Sequence, residues 1–216
     1  MATTVIEREP LDIEAAEPVK ALPALRVSPD VCLRVDHEGF ARLCSLNGDL
    51  RLELQADGTL VVMSPASSNT GRQNALLTTR LTMWNEAAKL GVAFDSSAGF
   101  TLPDGSVLGP DASWIRRDRW DSLGPDDRDG FARIVPDFVA ELRSPSDSLQ
   151  KVREKMRGYL SQGVRLGWLI DPRSKIVEVY RPGRDVETLT APKQVSGGDV
   201  LPGFTLDLAG ILHDEA

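Results

Sequence analysis

The sequence predicts an α/β fold in which helices flank a mixed central sheet. Two long segments, near residues 72–90 and 148–161, repeat apolar residues at helical spacing. Short segments with strand character lie between and after them. No internal repeat or linker interrupts this order, which favours one α/β domain with the element order αβββαβ.

The composition indicates a packed core and no membrane span. Of the 216 residues, 41% are hydrophobic and 26% are charged, as in ordinary globular domains. The apolar runs are a few residues long, whereas about 20 residues are needed to cross a bilayer. The acidic start lacks the basic-then-apolar order of a secretory signal, so we expect a cytoplasmic protein with two reduced cysteines.

The N-terminal part of the chain combines a tail with the first elements of the domain. Residues 1–28 contain three prolines and many carboxylates without a sustained period, which predicts a flexible acidic tail. We expect a single folded domain over residues 29–216. A short helix near residues 36–46 and a hairpin over residues 51–65, with an Asp57-Gly58 turn, precede the first long helix.

The remaining elements are strands arranged around the second long helix. Pro145 breaks the buried strand before that helix, and Gly163 ends the helix. Residues 116–130 are polar and predict a loop. The predicted strands span residues 92–102, 106–115, 131–144, 166–172 and 175–183, followed by an edge strand and a last helical turn.

Two carboxylates, Asp111 and Glu141, lie inside apolar strands. If these strands are neighbours, both carboxylates meet at one site, which suits Mg²⁺ with waters and phosphate oxygens as its other ligands. Such an ion would help to ionise a water nucleophile. Arg143 lies two residues after Glu141 on the same strand face, and Lys155 lies on the next helix. Spacing alone also fits solvent-facing or salt-bridged carboxylates and a solvated basic helix face.

Competing patterns explain less of the sequence. Asp137 could replace Asp111 as a metal ligand, but it lies four strand residues from Glu141, about 13 Å at roughly 3.3 Å per residue. Ser148 and Lys151 match a serine–lysine acylase pattern, yet Ser148 is better explained as a helix N-cap. A glycosidase with paired carboxylates would need a sugar cleft, which the aromatic pattern does not support.

The charge is unevenly distributed. The net charge of −7 argues against bulk affinity for nucleic acid. The window from Arg143 to Arg184, however, contains ten basic and four acidic residues. We therefore expect weak non-specific DNA affinity that depends on Mg²⁺ and on salt.

An ordered series of short motifs resembles the Uma-two family. Each motif is short, but their order is specific, and the resemblance covers roughly residues 38–212. The motifs are GPD at 109–111, PDFVAELRSPS at 136–146, Lys155 with Tyr159, Gly163-Val164, WLIDP at 168–172 and Val179-Tyr180. The family comprises mainly bacterial restriction endonucleases with a PD-(D/E)XK core.

The resemblance implies a PD-(D/E)XK, restriction-endonuclease-like core with an added N-terminal helix and hairpin. It implies that Asp111 and Glu141 are paired metal ligands and that the Leu142 carbonyl is a third. The superfamily motif has lysine where this chain has Arg143, and the resemblance places the displaced lysine at Lys155. We expect Lys155 to orient water and offset charge, and Arg143, a poor proton acceptor, to contact the scissile phosphate.

These expectations lead to two functional hypotheses. The first is a Mg²⁺-dependent endonuclease, with Mn²⁺ as a substitute, that hydrolyses DNA phosphodiester bonds as a homodimer. Further candidates for the rim of its site are Glu53, Asn74 and Glu86. Glu86 would be an outer metal ligand, although a solvated glutamate on a helix explains this residue better. The second hypothesis is a catalytically inactive nuclease-like fold that binds nucleic acid or protein, which the missing lysine at position 143 favours.

Overall fold

The computed structural model describes residues 32–213. The predicted tail over residues 1–28 lies outside them, so the division into tail and domain stays a prediction. The helices are α1 (His37–Leu46), α2 (Ser68–Ala88), α3 (Arg117–Asp121), α4 (Pro125–Asp129) and α5 (Leu149–Ser161). None of these helices is both long enough and apolar enough to span a membrane.

Twelve strands accompany these helices in the described part of the chain. They are β1 (Arg51–Leu54), β2 (Leu60–Met63), β3 (Gly91–Phe94), β4 (Phe100–Thr101), β5 (Val107–Leu108), β6 (Ala112–Arg116), β7 (Phe138–Leu142), β8 (Leu166–Asp171), β9 (Ile176–Tyr180), β10 (Glu187–Thr190), β11 (Gln194–Ser196) and β12 (Thr205–Asp207).

The central sheet has six strands in the order β10-β9-β8-β7-β6-β3. Strands β7 and β8 are parallel and are joined through α5, whereas all other neighbours are antiparallel. Every residue of β7 and β8 is buried, because helices or loops cover both faces of the sheet at this parallel pair. The predicted mixed sheet with flanking helices is therefore confirmed.

Alternation along the strands creates two apolar layers, one on each face of the central sheet. Leu77 and Leu81 of α2 pack in one cluster with Ala140 of β7. Met156 of α5 packs in the other cluster with Val139, the neighbour of Ala140 in the same strand. Because side chains alternate along a strand, Glu141 belongs to the α5 face together with Val139.

A second, antiparallel sheet carries the predicted N-terminal additions. Its four strands lie in the order β2-β1-β5-β4, and α1 packs on it through Phe40. The β1–β2 hairpin turns at Gly58, whose φ of +82° is strained for residues with a side chain. The chain passes from β5 in this sheet to β6 in the central sheet through Gly109, Pro110 and Asp111. Asp111 therefore lies at the junction of the two sheets.

Several boundaries differ from the sequence prediction. Helix α2 begins at Ser68, because the Ser67 hydroxyl caps it by accepting a hydrogen bond from the Thr70 amide. The predicted loop over residues 116–130 contains the short helices α3 and α4. The C-terminal part forms the β11–β12 pair. Ser148 is the N-cap residue of α5, as predicted, but its side chain makes no capping hydrogen bond.

Candidate active site

The pairing of β6 with β7 brings Asp111 and Glu141 to one place. Ala112 lies opposite Ala140 in this antiparallel pair. Asp111 directly precedes Ala112, Glu141 directly follows Ala140, and the two carboxylates are close enough for the charge of Asp111 to raise the pKa of Glu141. Asp111 Oδ2 accepts a hydrogen bond of 2.8 Å from the Leu142 amide, which fixes this end of the register.

Two further side chains reach the second oxygen of Asp111. Arg51 of β1 places Nη1 3.4 Å from Asp111 Oδ1, and its Nη2 donates to the carbonyl oxygen of Gly109 at 2.5 Å. Asn74 of α2 donates Nδ2 to the same Oδ1 at 3.3 Å. The Asn74 Oδ1 atom is buried and has no hydrogen-bond partner among the described residues. An uncharged oxygen thus lies free beside the Asp111 carboxylate.

Helix α5 contributes a cation and a hydroxyl to Glu141. Lys155 Nζ lies 3.0 Å from Glu141 Oε1 and 2.9 Å from Glu53 Oε1. Tyr159, four residues later on the same helix face, donates its hydroxyl to Glu141 Oε1 at 2.9 Å. Glu53 of β1 also accepts a hydrogen bond of 2.9 Å from the Gly109 amide. Lys155 is therefore held between carboxylates from the two sheets.

The site carries an excess of negative charge. Three buried carboxylates, Glu53, Asp111 and Glu141, share the cations Lys155 and Arg51 within the described residues. Burial raises the pKa of Glu141 to about 7, although Lys155 opposes this shift. Such a shift means that the folded protein disfavours the ionised form of Glu141 in the absence of another cation.

Lys155 and Tyr159 are held in their protonated forms. Burial by itself lowers the pKa of the Lys155 ammonium, but the attraction of Glu141 and Glu53 outweighs burial, and the pKa rises above its ordinary value. Burial and the same carboxylates raise the pKa of the Tyr159 hydroxyl well above its ordinary value. Both groups therefore act as hydrogen-bond donors at neutral pH rather than as proton acceptors.

Arg143 does not reach this group of side chains, which corrects the expectation from strand alternation. Its Nη1 donates to Asp171 Oδ2 at 2.8 Å, and Nε and Nη2 each lie 3.3 Å from the Asp147 carbonyl oxygen. Strand β7 ends at Leu142, so strand alternation no longer sets the direction of the following side chain. The guanidinium instead neutralises Asp171 at the end of β8.

Glu86 is likewise too far away to be an outer metal ligand. It lies twelve residues after Asn74 on α2, about 18 Å along the axis at 1.5 Å per residue, and its side chain is exposed. The structure thus brings Glu53 and Asn74 to the rim and leaves Glu86 out.

Sequence reasoning missed Arg51, although a signal for it exists. Arg51 and Glu53 are two residues apart in one strand, so strand alternation places them on the same face. Once Glu53 is a candidate for the rim, the same alternation makes Arg51 a candidate as well.

The oxygen ligands suit a hard cation bound by few side chains. Within residues 32–213, no group of three or more histidine, cysteine, aspartate or glutamate side chains is arranged to hold a metal ion. An ion here would rest on the pair Asp111 and Glu141, completed by uncharged oxygens such as Asn74 Oδ1 and water. Mg²⁺ is bound in this way, by one or two carboxylates and several waters.

The mixed sheet, with its parallel β7–β8 pair joined through α5, defines a fold of the restriction-endonuclease-like class. The Uma2 family, described as "Putative restriction endonuclease", matches residues 37–209, and the chain belongs to this family. The prediction of the family from the motif series is therefore confirmed.

Comparison with solved structures supports the same fold. The chain resembles the crystal structure of "a putative nuclease belonging to DUF820" from Anabaena variabilis with a TM-score of 0.64, over 74% of this chain and 89% of that one. The two sequences are 22% identical, so this likeness shows the fold alone. No curated protein matches the chain. The predicted restriction-endonuclease-like fold is confirmed.

Proposed function

We propose that the protein is a Mg²⁺-dependent endonuclease that hydrolyses DNA phosphodiester bonds, with Mn²⁺ as a substitute. The observation that carries this proposal is the buried site in which Asp111, Glu141 and Lys155 meet with an excess of negative charge. Membership of a family described as restriction endonucleases supports a nuclease rather than another hydrolase.

Asp111 and Glu141 would hold the cation, with the Leu142 carbonyl as a third ligand. The Leu142 amide points toward Asp111, and the N–H and C=O groups of one strand residue project to the same side, so its carbonyl faces Asp111 as well. Both Lys155 and Tyr159 bind Oε1 of Glu141, and no described residue donates a hydrogen bond to Oε2. A bound Mg²⁺ would polarise an attacking water and offset charge on the phosphate.

Lys155 would supply a fixed positive charge next to the reacting phosphate. Its ammonium stays protonated because two carboxylates raise its pKa, so it orients water and offsets developing charge without accepting a proton. Glu53 holds this ammonium in place and, through its bond to the Gly109 amide, ties it to the segment that carries Asp111. Glu53 is therefore a positioning residue.

DNA is the proposed substrate, with weak non-specific affinity. Within the basic window between residues 143 and 184, five of the ten basic residues pair with carboxylates of the protein. Lys151 and Arg157 of α5 remain exposed. The positive charge available to DNA is therefore smaller than the sequence count indicates, and binding should weaken steeply with salt. A homodimer, which would let two sites cut two strands, remains part of the proposal.

A non-cleaving nuclease-like module is the alternative that one observation favours. The residue at the motif lysine position, Arg143, is bound to Asp171 and the Asp147 carbonyl, so no cation from β7 faces the carboxylate pair. This alternative predicts DNA binding that does not lead to cleavage.

Cleavage of supercoiled plasmid with Mg²⁺ or Mn²⁺ tests the proposal. We expect cleavage by the wild type and a loss of about 100-fold or more in Asp111→Ala, Glu141→Ala and Lys155→Ala. Glu86→Ala is the matched control, because it removes an exposed carboxylate outside the site and should retain full activity. Activity that survives all three site variants would contradict the assignment, and DNA binding without cleavage by the wild type would favour the alternative.

A further inference from the structure

Arg51 contacts Asp111 through a single long bond, whereas Arg119 and Arg143 approach their buried acids to 2.8 Å. Arg51 Nη1 lies 3.4 Å from Asp111 Oδ1, near the upper limit of a hydrogen bond, and its Nη2 donates to the Gly109 carbonyl. The Nε atom is buried and has no hydrogen-bond partner among the described residues. The guanidinium thus makes one bond to the Asp111 carboxylate, whereas a bidentate arginine–carboxylate pair has two parallel bonds.

The Arg51 side chain also lines an open cavity. A cavity of about 190 Å³ is lined by Arg51, Glu53 and the backbone of Gly109, together with Ser96 and Ser97 from the loop after β3. The Arg51 side chain is 31% exposed, whereas the Asp111 side chain is 12% exposed. Arg51 therefore lies between the proposed metal ligand and a space that a ligand from solvent can enter.

We propose that Arg51 is the phosphate-binding residue of this site, and that it neutralises Asp111 only until a divalent cation binds that carboxylate. The inference rests on the proposed function. A cation on Asp111 would repel the guanidinium and remove its anionic partner, while the planar fork of donors matches the oxygens of a phosphodiester. Arg51 would thereby perform the role that sequence reasoning gave to Arg143.

This arrangement links cation binding to phosphate binding. Without DNA, the guanidinium competes with a divalent cation for Asp111, so it weakens cation binding. With DNA, the released guanidinium binds the phosphate, so it strengthens DNA binding once the cation is in place. Because coupling between two ligands is reciprocal, DNA should also tighten cation binding in the wild type. A residue with a merely structural role would not change these two affinities in opposite directions.

Two binding measurements on the full chain test the proposal. The first is calorimetric titration of Mn²⁺ without DNA, and the second is fluorescence anisotropy of a labelled DNA duplex with Ca²⁺, with strand integrity checked on a gel. The variants are Arg51→Gln, which removes the charge, and Arg51→Lys, which keeps the charge but not the planar fork. Arg34→Gln is the control, because it removes one arginine charge from the exposed pair with Asp57.

The expected signature is a pair of opposite changes in Arg51→Gln. Mn²⁺ should bind at least about three-fold more tightly, because a positive charge next to Asp111 is gone. The duplex should bind about ten-fold more weakly, with a salt slope reduced by about 1. Arg51→Lys should keep Mn²⁺ affinity near that of the wild type and bind DNA at an intermediate level, and Arg34→Gln should leave Mn²⁺ affinity unchanged.

Other results separate the failure of this inference from that of the proposed function. Intact Mn²⁺ and DNA binding by the wild type, with no change or with changes of one sign in Arg51→Gln, would overturn the role of Arg51 alone. A folded wild type that binds neither Mn²⁺ nor DNA would overturn both. Circular dichroism of Arg51→Gln and Arg51→Lys confirms that the comparison uses folded protein.

Discussion

The buried acids around the central sheet fall into two groups that differ in how their charge is neutralised. Asp137, Asp171 and Glu178 form the first group, and each pairs with at least one arginine. Glu53, Asp111 and Glu141 form the second group, which shares Lys155 and Arg51. The first group is neutralised within the fold, whereas the second group retains one negative charge more than its cations supply.

In the first group, hydrogen bonds and arginine partners within the fold neutralise each buried acid. Asp137 accepts a hydrogen bond from the Arg116 amide and pairs with Arg119 and Arg165. Burial alone would raise the pKa of Asp171, but the hydrogen bonds from Arg143 and Ser174 outweigh it, and the pKa falls below its ordinary value. The fold thus favours the ionised form.

The pKa of Glu141, in contrast, moves in the opposite direction. Glu141 of β7 and Glu178 of β9 lie on either side of β8 in the central sheet. Hydrogen bonds from Arg153 and Tyr180 lower the pKa of Glu178 in spite of burial, whereas the pKa of Glu141 rises to about 7. The difference teaches that burial alone does not decide the pKa of an acid in this fold. Glu141 has too few partners to offset its burial, and the proposed cation site rests on this shortage.

The largest expected effect removes a carboxylate from the second group. Asp111→Asn should lower the rate of plasmid cleavage by about 100-fold or more, since an amide in place of the carboxylate binds a divalent cation poorly. Asp137→Asn changes an acid of the first group. The folded fraction of this variant should cleave plasmid at the wild-type rate. Equal loss of specific activity in both variants, after correction for the folded fraction, would break the distinction between the groups.

The next effect concerns stability in the first group. Arg143→Ala leaves Asp171 buried without its cation, and breaking a buried pair costs about 3 kcal/mol in the free energy of unfolding. Urea denaturation measures this loss. A variant as stable as the wild type would show that Asp171 does not depend on Arg143, and a specific loss of DNA affinity would return Arg143 to the phosphate-binding role.

A change of opposite sign is expected for Glu141→Gln without divalent cations. The raised pKa means that ionising Glu141 costs stability in the folded protein, so the wild type loses stability as the pH rises from about 4.5 through about 7. The variant has no such group and should be more stable than the wild type by about 3 kcal/mol at pH 8, with little difference at pH 4.5. Denaturation in EDTA at several pH values measures the difference.

Adding Mg²⁺ tests whether Glu141 binds the cation. Added Mg²⁺ should raise the melting temperature of the wild type at pH 8 and have little effect on Glu141→Gln, because the ion stabilises only the folded state that binds it. If Mg²⁺ stabilised both proteins equally, the binding site would lie elsewhere.

The smallest effect is expected for an exposed pair outside both groups. Arg34→Ala removes a pair in which both side chains are more than half exposed, at 66% and 56%. Exposed pairs contribute about 0.5 kcal/mol or less, so the unfolding midpoint should barely move. A loss comparable with that of Arg143→Ala would mean that burial does not set the scale of these contributions.

Much of the fold and half of the site could be predicted from local patterns. Asp111 and Glu141 were recognisable because a carboxylate inside an apolar strand requires an explanation, and Lys155 because the motif series places a lysine on the next helix. The contacts of Arg51 and Glu53 with the 109–111 segment were harder to foresee, since they join β1 to residues 56 to 60 positions along the chain. Such contacts depend on the pairing of β1 with β5, which no local period encodes.

The structure places Arg143 and Glu86 away from the carboxylate pair for equally definite reasons. The alternation that placed Arg143 beside Glu141 holds only within a strand, and β7 ends one residue earlier, where the buried Asp171 attracts the guanidinium. Glu86 lies on the correct helix but about three turns too far along it. In both cases the residue type and the secondary-structure element suited the proposed site, but the side chain lies too far from the carboxylate pair.

The passage of the chain from β5 to β6 through Gly109 has a consequence for the order of folding. Glu53 binds the Gly109 amide on one side and Lys155, 102 positions along the chain, on the other. Contacts at such separation form late, because long loops must close first. A nascent or partly opened chain would therefore carry Glu53 without the Lys155 ammonium that completes the site, and under the proposed function it would be inactive. Slow hydrogen exchange of the Gly109 amide would report when the site is assembled.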